Sequence, residues 1–300
     1  MAIMASSISS ERVLILGGTC AIGRALARRL GDRAVTTHRG QGPTHWPLFD
    51  ALTDDLDPLL DRLGPFGHAV VLFAESNPDR CARDPETARR LNVDRTIALL
   101  GRLADRGVTP LFTSTESVFD GAKGAYVEED VAHPLMTYGR LKREVERHLA
   151  SRPALVVRLA RVVGTAPGDR TLFTGWLPDI AAGKEIRVAA DNRFSPIHVD
   201  DVAAGLAGLM ERRLTGLFHL GNPEGMGRRE MLERLIVAWR EAGGSFDGQV
   251  VPCRFADFPT LEPRPLDTTM VPAKLIAATG LSIRSVEAIC REAVAAYRGR

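Results

Sequence analysis

Residues 12–23 read Arg12-Val13-Leu14-Ile15-Leu16-Gly17-Gly18-Thr19-Cys20-Ala21-Ile22-Gly23. The uninterrupted apolar run predicts a parallel strand buried on both faces. It passes straight into a glycine turn and then into a helical pattern through Leu30, with Gly31 as its stop. Strand, glycine turn and helix N-terminus form the setting in which backbone N–H groups meet a dinucleotide pyrophosphate. Gly17, Thr19, Cys20, Ala21, Ile22 and Gly23 are the candidate cofactor-binding positions of this turn.

Working outward, strand-sized apolar runs at 34–37, 68–74, 109–113 and 155–163 alternate with helical patterns, the longest spanning 84–107. That alternation predicts an α/β fold with one doubly wound parallel sheet. The second strand is followed by His38-Arg39, with no acid where an NAD site places one for the ribose hydroxyls. The Arg39 guanidinium suits a 2′-phosphate instead. NADP(H) is therefore the favoured cofactor, with NAD(H) left open. The fourth strand delivers Ser114-Thr115-Glu116-Ser117 at its carboxyl end, where open parallel sheets bind ligands. Beyond Gly164 the pattern loosens. The expected organisation is a dinucleotide-binding domain over 10–165, to which 194–222 returns, and a smaller substrate lobe made of 166–193 and 223–300. Asp200 or Asp201 is the expected N-cap of a helix starting near Val202.

A second motif sits near the start of a helix expected over 137–150. Tyr138-Gly139-Arg140-Leu141-Lys142 places a phenol and an ammonium one turn apart on one face. An unperturbed phenol, with a pKa of about 10, is a poor acid near neutrality. A neighbouring ammonium favours the phenolate and is expected to pull that value down. Only four of the 39 Lys and Arg residues are lysines, which makes a lysine at this position notable.

Composition narrows the classes. Three hundred residues with 45% hydrophobic and 25% charged content are ordinary for a globular enzyme. A formal charge of +2 without a basic block argues against a nucleic-acid partner. The four cysteines (Cys20, Cys81, Cys253 and Cys290) form no C-x-x-C pair, and no histidine cluster has metal-ligand spacing. Free thiols in a reducing compartment and no metal are expected. The first residues lack the basic and apolar regions of a secretion signal, and no apolar run is long enough to cross a bilayer. A cytoplasmic protein with no membrane partner is expected.

Read together, these residues resemble the extended short-chain dehydrogenase/reductase family, and within it the dTDP-4-dehydrorhamnose reductase-like branch. That branch carries S-T-D-Y-V-F-D-G, P-Y-x-E-x-D, a proline and Y-G-x-S-K in this order. The chain reads Ser114-Thr115-Glu116-Ser117-Val118-Phe119-Asp120-Gly121, Ala125-Tyr126-Val127-Glu128-Glu129-Asp130, Pro134 and Tyr138 to Lys142. The resemblance implies Tyr138 as proton donor to a carbonyl oxygen and Thr115 as a hydrogen-bond donor to the same oxygen. It also implies that Lys142 holds the nicotinamide ribose, and it adds Asp50 and Ala74 to the cofactor-contacting positions. A homodimer is the family's habit.

Departures from the pattern are specific. Cys20 stands for the middle glycine of the fingerprint, Ala21-Ile22 for Gln-Leu, and Glu116-Ser117 for Asp-Tyr. The leading expectation is an NADPH-dependent reductase of a keto-sugar nucleotide. A sugar-nucleotide epimerase uses the same Thr/Tyr/Lys set and remains the alternative. An NADP-binding regulatory subunit without turnover, of the kind found beside methionine adenosyltransferase, is the alternative of another class. Arg264, in the loop Arg264-Pro265-Leu266-Asp267, is a candidate for a substrate phosphate, against an ion pair between lobes. Trp176 is a candidate for flanking a substrate nucleotide, against a place in the small lobe's core.

Overall fold

The run after Arg12 forms β1 (Val13–Leu16), and its side chains alternate between two cores. Leu14 and Leu16 enter one apolar cluster while Val13 and Ile15 enter another on the opposite face. This is the period-2 consequence of a strand buried on both sides. The computed structural model describes residues 11–299 apart from 167, 168 and 170. The expectation about a leader falls largely on the first ten residues, outside those described.

Around β1 lie β2 (Ala34–Thr36), β3 (His68–Val71), β4 (Thr109–Thr115), β5 (Leu155–Leu159) and the strand Gly216–Leu220. The order is Gly216–Leu220, β5, β4, β3, β1, β2, and every pairing is parallel. This is the expected doubly wound sheet. Thr96–Asp105 and Thr137–Leu149 cover one face through Leu99, Leu103, Leu141 and Val145. α1 (Ala21–Leu30) and Val199–Glu211 cover the other through Leu26, Val202 and Leu206. A third cluster, with Phe173, Leu177, Leu232, Leu235 and Ile289, joins Leu172–Ala181, Arg228–Glu241 and Val286–Arg298.

Three local expectations are corrected. The 84–107 helix is realised as Pro85–Arg89, a π-helical segment Arg90–Arg95, and Thr96–Asp105. Within it the Thr96 hydroxyl bonds the Leu91 carbonyl at 2.9 Å, and Asn92 leaves the helix surface to bond Glu75 N and O at 2.8 and 2.9 Å. The 155–163 strand stops at Leu159, because the Arg161 N–H goes to the Glu116 carboxylate (3.0 Å) instead of a ladder partner. The helix N-cap is His198, whose Nδ1 accepts from Asp200 N at 3.2 Å; Asp200 and Asp201 lie in the first turn.

A buried ion network locks the sheet to the Thr137–Leu149 helix. Arg158 of β5 donates through Nε and Nη2 to Glu146 at 2.9 and 2.8 Å, and the Ser114 hydroxyl donates to the same carboxylate at 2.6 Å. Arg158 Nη1 lies 3.2 Å from His219 Nε2, and His219 Nδ1 lies 3.1 Å from the Tyr126 carbonyl. Burial, reinforced by Arg158, drives His219 down to about 3, so it is a neutral ring. Burial works to raise the Glu146 pKa, and the bonds and charge of Arg158 outweigh it and hold the carboxyl below its ordinary value. Arg158→Met is expected to strand the Glu146 charge and lower stability by about 3 kcal/mol or more. Urea denaturation measures this, and replacing Glu146 by leucine in the same variant should restore much of the loss.

Candidate active site

The end of β4 and the start of the Thr137–Leu149 helix are pressed together. A Cβ on Gly139 would come within 2.1 Å of the Ser117 carbonyl oxygen, so glycine is what permits this approach. The contact sets the Thr115 hydroxyl beside the Tyr138 phenol, near enough to favour its ionised form. One turn later Lys142, only 5% exposed, donates to the Thr113 carbonyl at 2.8 Å and lies 4.6 Å from the Phe112 ring centroid.

These three residues line a cavity of about 560 Å³ that continues to the glycine turn. Gly17 (φ +88°) bends the chain there, and a Cβ on it would meet Phe73 N at 2.8 Å. Thr37 fastens the turn, since Gly18 N donates to its carbonyl at 2.9 Å. Cys20 takes an ordinary extended conformation, and its Sγ accepts from Gly23 N at 3.3 Å, capping α1. The substitution is thus absorbed as a helix cap.

Of the other expected cofactor positions, Gly17, Thr19, Cys20, Ile22, Arg39, Asp50 and Ala74 line the cavity, whereas Ala21 and Gly23 do not. Gly23 instead packs on Gly18, where a Cβ would stand 2.5 Å from the carbonyl oxygen. Arg264 and Trp176 are not cavity residues either. Arg264 Nη2 is held at 2.5 Å by Asp79, and Trp176 packs against the third core. Sequence reasoning missed Phe73, Leu91, Leu159 and Val162 in the wall. They are apolar residues at or beside element ends, with no signal to separate them from core.

The electrostatics correct one expectation. Burial pushes Tyr138 up to about 12, with nearby Cys81 acting in the same direction and the Thr115 hydroxyl opposing it. Burial also pulls Lys142 down to about 8, against the opposing charge of Glu146. Burial therefore outweighs any downward pull of the ammonium on the phenol, because the same wall that brings the two groups together strips both of water.

Beside this pair, Glu116 is 6% exposed, and burial raises it to about 7 despite the Arg161 charge and N–H bond. A carboxyl whose folded pKa exceeds its unfolded value stabilises the fold at low pH and loses that contribution as pH rises from the unfolded to the folded value. Wild type should therefore lose stability relative to Glu116→Gln between about pH 4.5 and about pH 7, as read from urea midpoints.

Elsewhere, His198, Asp200 and Glu292 bring donor atoms within 4.8 Å of one another. Arg284 Nη1 lies 2.9 Å from both His198 Nδ1 and Glu292 Oε2, so a guanidinium already holds this cluster. Among the described residues no helix is long and apolar enough to cross a membrane.

The profile described as RmlD substrate binding domain matches residues 11–298. The chain belongs to this family. Membership bears out the expected extended short-chain dehydrogenase/reductase, a family of NAD(P)-dependent oxidoreductases. The chain is 28% identical over 235 residues to the dTDP-4-dehydrorhamnose reductase of Sinorhizobium fredii, covering 75% of this chain and 78% of the relative. It is equally 28% identical over 239 residues to methionine adenosyltransferase 2 subunit beta of Mus musculus, covering 75% and 71%. Among solved structures, the dTDP-4-dehydrorhamnose reductase of Bacillus anthracis in complex with NADP superposes with a TM-score of 0.80 at 20% identity, covering 94% of this chain and 98% of that one.

Proposed function

We propose that the chain is an NADP(H)-dependent reductase of a 4-keto sugar nucleotide, with Tyr138 as proton donor. The observation that carries this reading is that Thr115, Tyr138 and, one turn on, Lys142 share the wall of the cavity that reaches the glycine turn. The cavity fits the cofactor chemically: Gly17 brings bare backbone to its edge and Arg39 offers a guanidinium. When bound, NADPH supplies the hydride. The chain's own part is to present the Tyr138 proton to the carbonyl oxygen as negative charge develops, with Thr115 sharing that oxygen. A pKa of about 12 keeps the phenol protonated through neutral pH, which is the form a donor needs. Lys142 would orient the ribose. The proposed division is a cofactor-binding domain over 10–165 and 194–222, with 166–193 and 223–300 enclosing the substrate.

The likeness to a methionine adenosyltransferase subunit supports a regulatory role as the second reading. The complete Thr115, Tyr138 and Lys142 set supports turnover instead. Tyr138→Phe should cut consumption of NADPH with dTDP-4-dehydrorhamnose by about 10² to 10⁴, followed as absorbance loss, while NADPH binding is unchanged. Absence of turnover in the wild type, with NADPH bound, would move the assignment to the regulatory reading. Arg39→Asp should lower kcat/KM with NADPH by roughly ten-fold or more and leave NADH nearly unaffected.

A further inference from the structure

Arg161 and Arg228 reach the same buried ring from different parts of the chain. Their guanidinium carbons lie 6.0 and 5.9 Å from the Phe194 centroid, and that of Arg228 also lies 4.8 Å from the Phe255 ring. Phe194 is 1% exposed. A guanidinium held near an aromatic face in this way does not use its N–H donors in that contact. Arg228 spends Nε on Asn192 Oδ1 at 3.2 Å, and among the described residues no carboxylate pairs with it. It also begins the fourteen-residue helix Arg228–Glu241, whose N-terminus adds positive potential. Among the described residues Arg161 has one acidic partner, Glu116, at 4.0 Å.

Two like charges are thus gathered against one carboxylate. The repulsion registers on Arg228, which burial first, and then Arg161, lower to about 10. Arg161 is also near the chemistry: it and Glu116 both act electrostatically on the Tyr138 hydroxyl, and Glu116 follows Thr115 directly. Two guanidinium groups gathered at one ring with a single carboxylate between them leave positive charge and N–H donors for an oxyanion.

We infer that Arg161 and Arg228 clamp an oxyanion, phosphoryl or carboxylate, carried by the carbonyl substrate, with Glu116 positioning Arg161. The inference rests on the cleft beside Tyr138 receiving that substrate. It explains why the chain departs from its relatives' motif at position 116: a carboxylate there holds the clamp's first arm through both its backbone and its side chain.

The test is calorimetric titration of NADPH-saturated protein with dTDP and, separately, with sodium glucuronate. Wild type, Arg161→Gln and Arg228→Gln are compared, and nicotinamide fluorescence reports cofactor binding and folding in each. At least one probe should bind wild type and weaken roughly ten- to a hundred-fold in both variants, with NADPH affinity unchanged. Response to dTDP alone assigns a phosphoryl group, and response to glucuronate alone a carboxylate. Unaltered affinity in both variants, or no binding of either probe to wild type, overturns the clamp. Failure of wild type to bind NADPH would overturn the reductase reading instead, and anion binding that still falls in the variants would uphold the clamp.

Discussion

The Arg158–Glu146 ion pair is the contact on which the site's geometry depends. Its two members are 1% and 4% exposed, and each buried charge costs several kcal/mol to desolvate. That cost is offset because every lobe of the carboxylate is used: two donors from Arg158, one from Ser114 and one from Arg143 at 3.1 Å. The result is a fixed distance between β4, β5 and the helix that carries Tyr138 and Lys142. Ser114 looks inward to this lock while Thr115, its neighbour on the strand, faces the phenol, as alternation requires. The charges that secure the helix also hold part of the Lys142 pKa up, so structure and chemistry are coupled through Glu146.

Much of the frame was legible because it rests on local rules. Apolar runs at strand length, the glycine stop after Leu30 and the Tyr/Lys spacing each fix a local geometry. What escaped reading depended on contacts between distant segments. The π-helical turn at Arg90–Arg95 serves Asn92, whose partner Glu75 lies in another loop. The break after Leu159 depends on Glu116, 45 residues earlier. His198 caps a helix beside two aspartates that sequence preference ranks above it, because its ring is already fixed by Thr165 and Arg284.

The Tyr138 and Lys142 pair shows the same division. Spacing placed Tyr138 and Lys142 on one face, and the structure keeps them there. Spacing could not show how dry that face is. Desolvation moves both groups toward neutrality, raising an acid and lowering a base, and it exceeds their mutual attraction. For a proton donor this is a workable compromise: an alkoxide is far more basic than a phenolate even at a phenol pKa of about 12, so transfer in the transition state remains downhill.

The two principal departures from the family's motifs have opposite consequences. Cys20 falls where a glycine is usual, yet its sulfur turns into the α1 cap, and the turn keeps its backbone path. Glu116 rewires its surroundings: it takes the Arg161 N–H, faces the Arg161 and Arg228 charges, and reaches Thr268 near the chain's end. One change is confined to a single turn; the other links the end of β4 to Arg161, Arg228 and Thr268. The turn absorbs its change locally, whereas the change one residue beyond Thr115 draws in contacts from three distant segments.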